Sequence, residues 1–196
     1  MSETANALTT TRNLRVGLIG LGSMGRHHAR VIRATSGMEL IAVADPSGDR
    51  FGVAGELELL PDVAALIDIS LDAAMVAVPT VYHEEVALAL AEAGVPTMVE
   101  KPITHNVQAS RRVANAFASR DLVGAVGYVE RCNPALRALR ERLDAGELGQ
   151  VYQVLTRRQG PFPARISDVG VVKDLATHDV DLTAWVAGSP YCSITQ

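Results

Sequence analysis

The stretch VGLIGLGSMGRHHAR, residues 16–30, constrains the fold of this chain more than any other. Gly20, Gly22 and Gly25 stand in the G-x-G-x-x-G spacing. The run that leads in, LRVGLIG (14–20), has strand composition, and the run that leads out, SMGRHHARVIRAT (23–35), has helical composition. A strand entering a helix through such a loop needs the first glycine for a tight turn. It needs the second so that backbone can approach a pyrophosphate, and the third so that helix and strand pack closely. The helix then offers its unpaired N–H groups to phosphate. Asp45 lies twenty positions after Gly25, at the end of the next apolar run, MELIAVAD (38–45). A carboxylate there accepts both ribose hydroxyls of NAD and repels a 2′-phosphate, so NAD is favoured over NADP. Arg50 is close enough in sequence to bear on that preference, and a plain turn residue before Pro46 is the alternative role for Asp45.

The rest of the first two thirds repeats the strand–helix alternation. AAMVAVP (73–79) is a continuous apolar run, as in a strand buried on both faces. VYHEEVALALAEAG (81–94) reads as a helix closed by glycine, PTMVE (96–100) as a strand, NVQASRRVANAFASRD (106–121) as a helix and LVGAVGYVE (122–130) as a strand. A short strand near Glu58 and a helix over 61–69 fill the stretch between. The fold class is therefore α/β, with a parallel, doubly wound sheet of the Rossmann kind. Beyond Glu130 the character changes. RCNPALRALRERLDAGELG (131–149) reads as one amphipathic helix and VYQVLTRRQG (151–160) as an antiparallel strand. GPFPARISDVG (160–170) reads as a loop, 174–187 as a helix and PYCSITQ (190–196) as the start of another strand. The predicted organisation is a flexible tail over 1–13, a Rossmann domain over 14–127 and a partial C-terminal α/β substrate and oligomerisation domain over 128–196.

Composition narrows the partners. A hydrophobic content of 48% over 196 residues is enough for a sizeable core. A net charge of −4 with no basic block speaks against nucleic acid as a direct ligand. The two cysteines, Cys132 and Cys192, have neither metal spacing nor a disulfide framework, which fits a reducing, cytoplasmic setting. The N-terminal residues lack the pattern of a signal peptide, and no apolar run is long enough to span a bilayer. Lysine occurs only at 101 and 173, against sixteen arginines. Lys101, at the end of an apolar strand, therefore needs its own explanation.

In VVKDLATHDVDLTAWVAG (171–188), Asp174, His178 and Asp181 are spaced four and three apart, on one helix face. Such an Asp–His pair is often a simple surface contact worth about 0.2–0.5 kcal/mol. A metal site at this spacing lacks further ligands nearby, so none is expected. Asp181 is read instead as positioning the helix or touching substrate. His27 and His28 read as packing or solvent-facing, His105 as a loop or cap residue, and Trp185 as core.

Five pieces in order, GLGSMG (20–25), PTVYH (79–83), EKP (100–102), GYVERCNP (127–134) and DLATHDVD (174–181), resemble the Gfo/Idh/MocA, or glucose–fructose oxidoreductase, family. The resemblance implies an NAD(P)-binding Rossmann domain followed by an α/β domain with an open, mostly antiparallel sheet. That second domain covers the substrate and often forms the oligomer interface, so a homo-oligomer is expected. It further implies Lys101, Asp174 and His178 as the catalytic set, which would also touch substrate. The cofactor set is Gly20, Gly22, Ser23, Met24, Gly25, Asp45 and Glu100, with Pro79 and His83 toward the nicotinamide. Pro102 shapes the turn beneath it. In this reading His178 takes the hydroxyl proton, Asp174 orients it and Lys101 stabilises the developing alkoxide.

The stretch 160–182 resembles a subgroup of nucleotide-sugar dehydrogenases that oxidise the 3-hydroxyl of UDP-N-acetylglucosamine-type sugars. Arg157, Arg158 and Arg165 are candidates to meet a diphosphate, or else surface arginines. Inositols, free sugars and sugar carboxylates are the alternative substrates. Family members run longer, so the predicted second domain is truncated, and the helix face around Leu175, Leu182 and Trp185 would lack a covering sheet. An incomplete product, a short form completed by assembly and a non-catalytic NAD-binding regulator are the three explanations.

Overall fold

β1 (Leu14–Ile19) shows how the sheet acquires a core on each face. Side chains of a strand alternate, so Val16 and Leu18 pack on one side while Ile19 packs on the other. The computed structural model, which describes residues 12–159 and 175–195, builds on this strand in both directions. β2 (Met38–Ala44) and β3 (Leu59–Leu60) extend the sheet one way. β4 (Ala73–Val76), β5 (Thr97–Val99) and β6 (Gly124–Val126) extend it the other way. The order is β3-β2-β1-β4-β5-β6, and every neighbouring pair is parallel. This is the doubly wound order expected from the sequence, and its winding reverses between β1 and β4. A crevice opens there at the C-terminal ends of the strands.

Helices cover both faces because parallel strands need crossovers. α1 (Ser23–Ala34) lays Ala29 and Ile32 against Val16, Leu18, Leu40 and Val43. α2 (Val63–Ile67), α3 (His83–Glu92) and α4 (Val107–Ala118) cover the other face, where Leu66, Leu90, Val113 and Phe117 meet Ile19, Val76 and Val99. α2 and α4 start on side-chain caps: Asp62 accepts the Ala65 N–H and Asn106 accepts the Ala109 N–H.

Past β6 the structure departs from the sequence expectation in three places. The predicted strand 122–130 ends at Val126, and Val129–Cys132 forms a 3-10 turn. The single helix predicted over 131–149 is instead α5 (Pro134–Asp144). Asn133 starts it, accepting the Ala135 N–H, and Pro134 occupies the first helical position, where its missing N–H costs nothing. No strand forms over 151–159 or 190–195, because neither segment has a hydrogen-bonded partner strand among the described residues. α6 (Thr177–Ala187) follows and ends on Gly188 in the left-handed region. Trp185, expected in the core, is half-buried together with Leu175 and Leu182, and α6 buries only Val186. Both cysteines are free and exposed. Among the described residues no helix is long and apolar enough to cross a membrane.

Candidate active site

The three glycines of the loop do different work. Gly20 has φ +91°, and a Cβ there would stand 2.5 Å from the Ala77 carbonyl carbon and the Val78 nitrogen. A Cβ on Gly25 would lie 1.9 Å from the Gly20 oxygen. Both glycines are therefore demanded by the fold itself. A Cβ on Gly22 would meet nothing within 4 Å. The space in front of Gly22 belongs to a cleft of about 500 Å³, lined by Ser23, Met24, Asp45, Arg50, Val78 and Pro79 among others. Unlike α2, α4 and α5, α1 begins without a side-chain cap, and no acidic residue stands in its first turn. Its amides and positive dipole end are left to an anion at the cleft.

Asp45 hangs from the end of β2 over this cleft. Its Oδ2 accepts the Leu21 N–H at 2.8 Å and its Oδ1 accepts the Ser47 N–H at 2.8 Å. Each oxygen keeps a lone pair for a ribose hydroxyl. Arg50, at the cleft edge, stacks on Phe51 with its guanidinium 4.4 Å from the ring centroid, and Arg26 sits 5.1 Å from the same centroid. Uncapped amides, an open approach at Gly22 and a carboxylate at the end of β2 fit a dinucleotide such as NAD.

Glu100 and Lys101 lie just past β5, where the Lys101–Pro102 peptide is cis. Glu100 is buried, and its Oε1 is 2.7 Å from His28 Nε2. Burial opposes ionisation of this carboxyl. The hydrogen bond and charge of His28, with the Lys101 N–H and charge, outweigh burial and hold it below the usual carboxylate range. His83 takes a place other than the cofactor wall given to it by the family pattern. It is 1% exposed, with Nδ1 2.9 Å from the Pro102 oxygen and Nε2 2.9 Å from the Val78 oxygen. Pro79, by contrast, does line the cleft.

His178 rises from the first turn of α6. Burial lowers its pKa first, and the charges of Lys101 and Arg158 lower it further, against a smaller upward pull from Glu130 and Asp179. Lys101 and His178, on different elements, are thus within electrostatic reach of each other. His178 Nδ1 is buried and has no hydrogen-bond partner among the described residues. Asp174, Arg165 and the whole of the 160–170 loop lie outside the described residues. Asp181 is claimed by Arg131 in a two-pronged pair at 2.7 and 2.5 Å, which ties α6 to the 3-10 turn. Arg158 pairs with Asp179 at 3.0 and 3.2 Å and reaches Glu130 at 3.4 Å. Arg140 donates to the Trp185 and Val186 carbonyls at the end of α6. No cluster of potential metal ligands occurs among the described residues.

Sequence reasoning missed the role of His28, since its partner lies 72 positions away. It left Asp181 between positioning and substrate, and the structure shows positioning. It did not foresee that Arg158 is engaged by two carboxylates, because pairing across segments leaves no local signal.

Residues 14–128 match the GFO/IDH/MocA oxidoreductase family, NAD-binding Rossmann fold, and residues 136–195 match the GFO/IDH/MocA C-terminal domain. The chain is 35% identical to inositol 2-dehydrogenase 4 of Saccharopolyspora erythraea, over 95% of this chain and 57% of the relative. It is 36% identical to the UDP-N-acetylglucosamine 3-dehydrogenase of Acidithiobacillus ferrooxidans, over 90% of this chain and 55% of the relative. Among solved structures it resembles the WlbA dehydrogenase of Bordetella pertussis in complex with NADH and UDP-GlcNAcA. That likeness has a TM-score of 0.78 at 25% identity, over 89% of this chain and 55% of that one. The chain thus spans a little over half the length of the curated relatives it matches.

Proposed function

This chain belongs to the GFO/IDH/MocA family of NAD-binding oxidoreductases, and from that premise we propose that it acts as an NAD-dependent dehydrogenase on a ring secondary hydroxyl. The observation that carries this reading is that Lys101, just past β5, lies within electrostatic reach of the half-buried His178 on α6. A base that removes a hydroxyl proton must be neutral. Burial and two neighbouring cations keep His178 in that form near neutral pH. Its Nε2 receives the proton, while Nδ1 needs an acceptor that orients the ring; Asp174, one turn earlier in the sequence, is the proposed one. The Lys101 ammonium stabilises the alkoxide as the O–H bond breaks. NAD, when bound, accepts the hydride from the same carbon, which leaves a ketone.

The cofactor would be held by the α1 amides and the open approach at Gly22, with Asp45 on the ribose. Gly20, Ser23, Met24, Gly25, Pro79 and Glu100 complete the proposed cofactor set. For the substrate, an uncharged polyol such as an inositol is the first reading. Arg158, one of the candidates for a diphosphate, is already bound by Asp179 and Glu130. The second reading is the 3-hydroxyl of UDP-N-acetylglucosamine, supported by the relative named for that activity and by the exposed Arg157.

The test is NADH formation with a panel of inositols, free sugars and UDP-sugars. Lys101→Ala and His178→Ala are expected to lower kcat by about 10²–10⁴-fold, the range of a lost acid–base or electrostatic group, while NADH binding persists. Full activity in either variant refutes its role. Asp45→Ala is expected to weaken NAD and narrow the gap between NAD and NADP; an unchanged preference removes the ribose assignment.

A further inference from the structure

The Glu100-Lys101-Pro102 turn is gripped from two sides by side chains that the proposed chemistry does not use. On one side stands His28 of α1, the helix that begins at the glycine loop. Its Nε2 is 2.7 Å from Glu100 Oε1, with both side chains nearly buried, at 12% and 8% exposure. The other carboxylate oxygen, Oε2, accepts the Lys101 N–H at 3.2 Å. On the opposite side stands His83 of α3, which joins the Pro102 carbonyl to the Val78 carbonyl, each at 2.9 Å. Val78 itself lines the cofactor cleft. Gly127 leaves room for the carboxylate: a Cβ there would stand 3.3 Å from three of its atoms.

We propose that His28 and His83 are positioning residues that clamp this turn and so set the place of the Lys101 amine against both walls of the cofactor cleft. The catalytic consequence rests on the dehydrogenase reading above; the clamp itself does not. Burying imidazoles and a carboxylate costs free energy unless each finds a partner, so three such groups around one turn favour geometry over simple packing. The amine has to meet one developing oxygen anion, and an error of about 1 Å in such a group costs on the order of 10²-fold in rate. α1 and Val78 are reference points that also define the cofactor, so the clamp holds lysine and cofactor in one frame.

The experiment uses the 196-residue chain with His28→Ala, His83→Ala and the donor-preserving His28→Gln and His83→Asn. The first readout needs no turnover. An amine-acetylating reagent is applied, and labelling of Lys101 is measured by mass spectrometry against Lys173, the second lysine. The alanine variants are expected to change that ratio by about threefold or more, and the amide variants to restore part of it, because His28→Gln still reaches the Glu100 carboxylate and His83→Asn, which stands in for Nδ1 alone, still reaches the Pro102 carbonyl. The second readout is kinetic: kcat falls by about tenfold or more in the alanine variants while KM for NAD stays within about twofold. An unchanged labelling ratio in the alanine variants overturns the clamp. So does amide substitution that repairs nothing, or a loss confined to KM for NAD. Should the alanine variants not fold, Glu100→Gln, which keeps the shape and removes the charge, is read by the labelling ratio alone, and an unchanged ratio overturns the clamp. Absence of NADH formation by the unmodified chain refutes the dehydrogenase reading alone, and the labelling ratio then decides the clamp.

Discussion

The residues before and after Gly127 are held by different forces. Before it lie two apolar clusters, one on each face of the sheet, with Val16, Leu18, Val43, Ala44, Leu66 and Leu90 fully buried. After it, Val186 is the only buried residue among those described. What joins the 3-10 turn, α5 and α6 is instead a set of arginine contacts: Arg131 to Asp181, Arg158 to Asp179 and Glu130, and Arg140 to the end of α6. Apolar burial is strong, non-directional and not screened by ionic strength, whereas partly exposed ion pairs are weak and screened. The proposed site straddles this divide. The proposed cofactor groups and Lys101 belong to the part with the apolar core, and His178 to the part held by charge.

The largest expected effect breaks the apolar half. Gly25→Val places atoms where the Gly20 carbonyl already stands, so the chain should lose cooperative thermal unfolding and NADH binding together. Gly22→Val is its counterpart: it meets open space, so Tm should hold while NADH affinity falls. Equal losses of Tm in both variants would mean that the loop glycines are not divided between fold and ligand.

A smaller effect breaks the charged half alone. Arg131→Ala removes both hydrogen bonds to Asp181 and should loosen α6 by on the order of 1 kcal/mol, since the guanidinium is half exposed. Amide exchange should quicken over 177–187 with little change in β1 and β4, and kcat should fall with no change in NADH binding. Equal exchange in both regions would show that the two halves unfold as one.

The smallest effect sharpens the comparison through pH. His178 must be neutral to accept a proton, and burial with the two cations lowers its pKa. The fall of kcat/KM toward acid should therefore lie below the ordinary histidine range. Arg158→Gln removes one lowering charge and leaves Glu130 and Asp179, which raise the value, without a counter-charge. The acid limb should move to higher pH in that variant. A limb that stays in place would remove Arg158 from the tuning of His178.

The doubly wound fold was legible because its signals are local. Continuous apolar runs such as AAMVAVP mark strands buried on two faces, and the glycine spacing marks the turn that follows β1. The same holds for Asp45 and for Lys101, each identified by its place at a strand end. The second region was less legible. VYQVLTRRQG alternates like a strand, yet a strand exists only where a neighbour pairs with it, and alternation does not record the neighbour. Asn133 and Pro134 carry a helix-start signal, which a helix drawn over 131–149 overlooked.

By itself, then, the sequence determined the parallel α/β architecture and the glycine loop, and it singled out Asp45 for the proposed ribose contact, since each depends on periodicity or spacing along the chain; Lys101 and His178 were singled out for the chemistry through the family resemblance. Only the tertiary structure decided that His28 holds Glu100, that His83 bridges Val78 and Pro102, and that Arg131 claims Asp181. Those pairings join residues far apart in the chain. A histidine's partner is set by which polar group, side chain or backbone, the fold brings within about 3 Å of its ring nitrogens, and no local pattern encodes that.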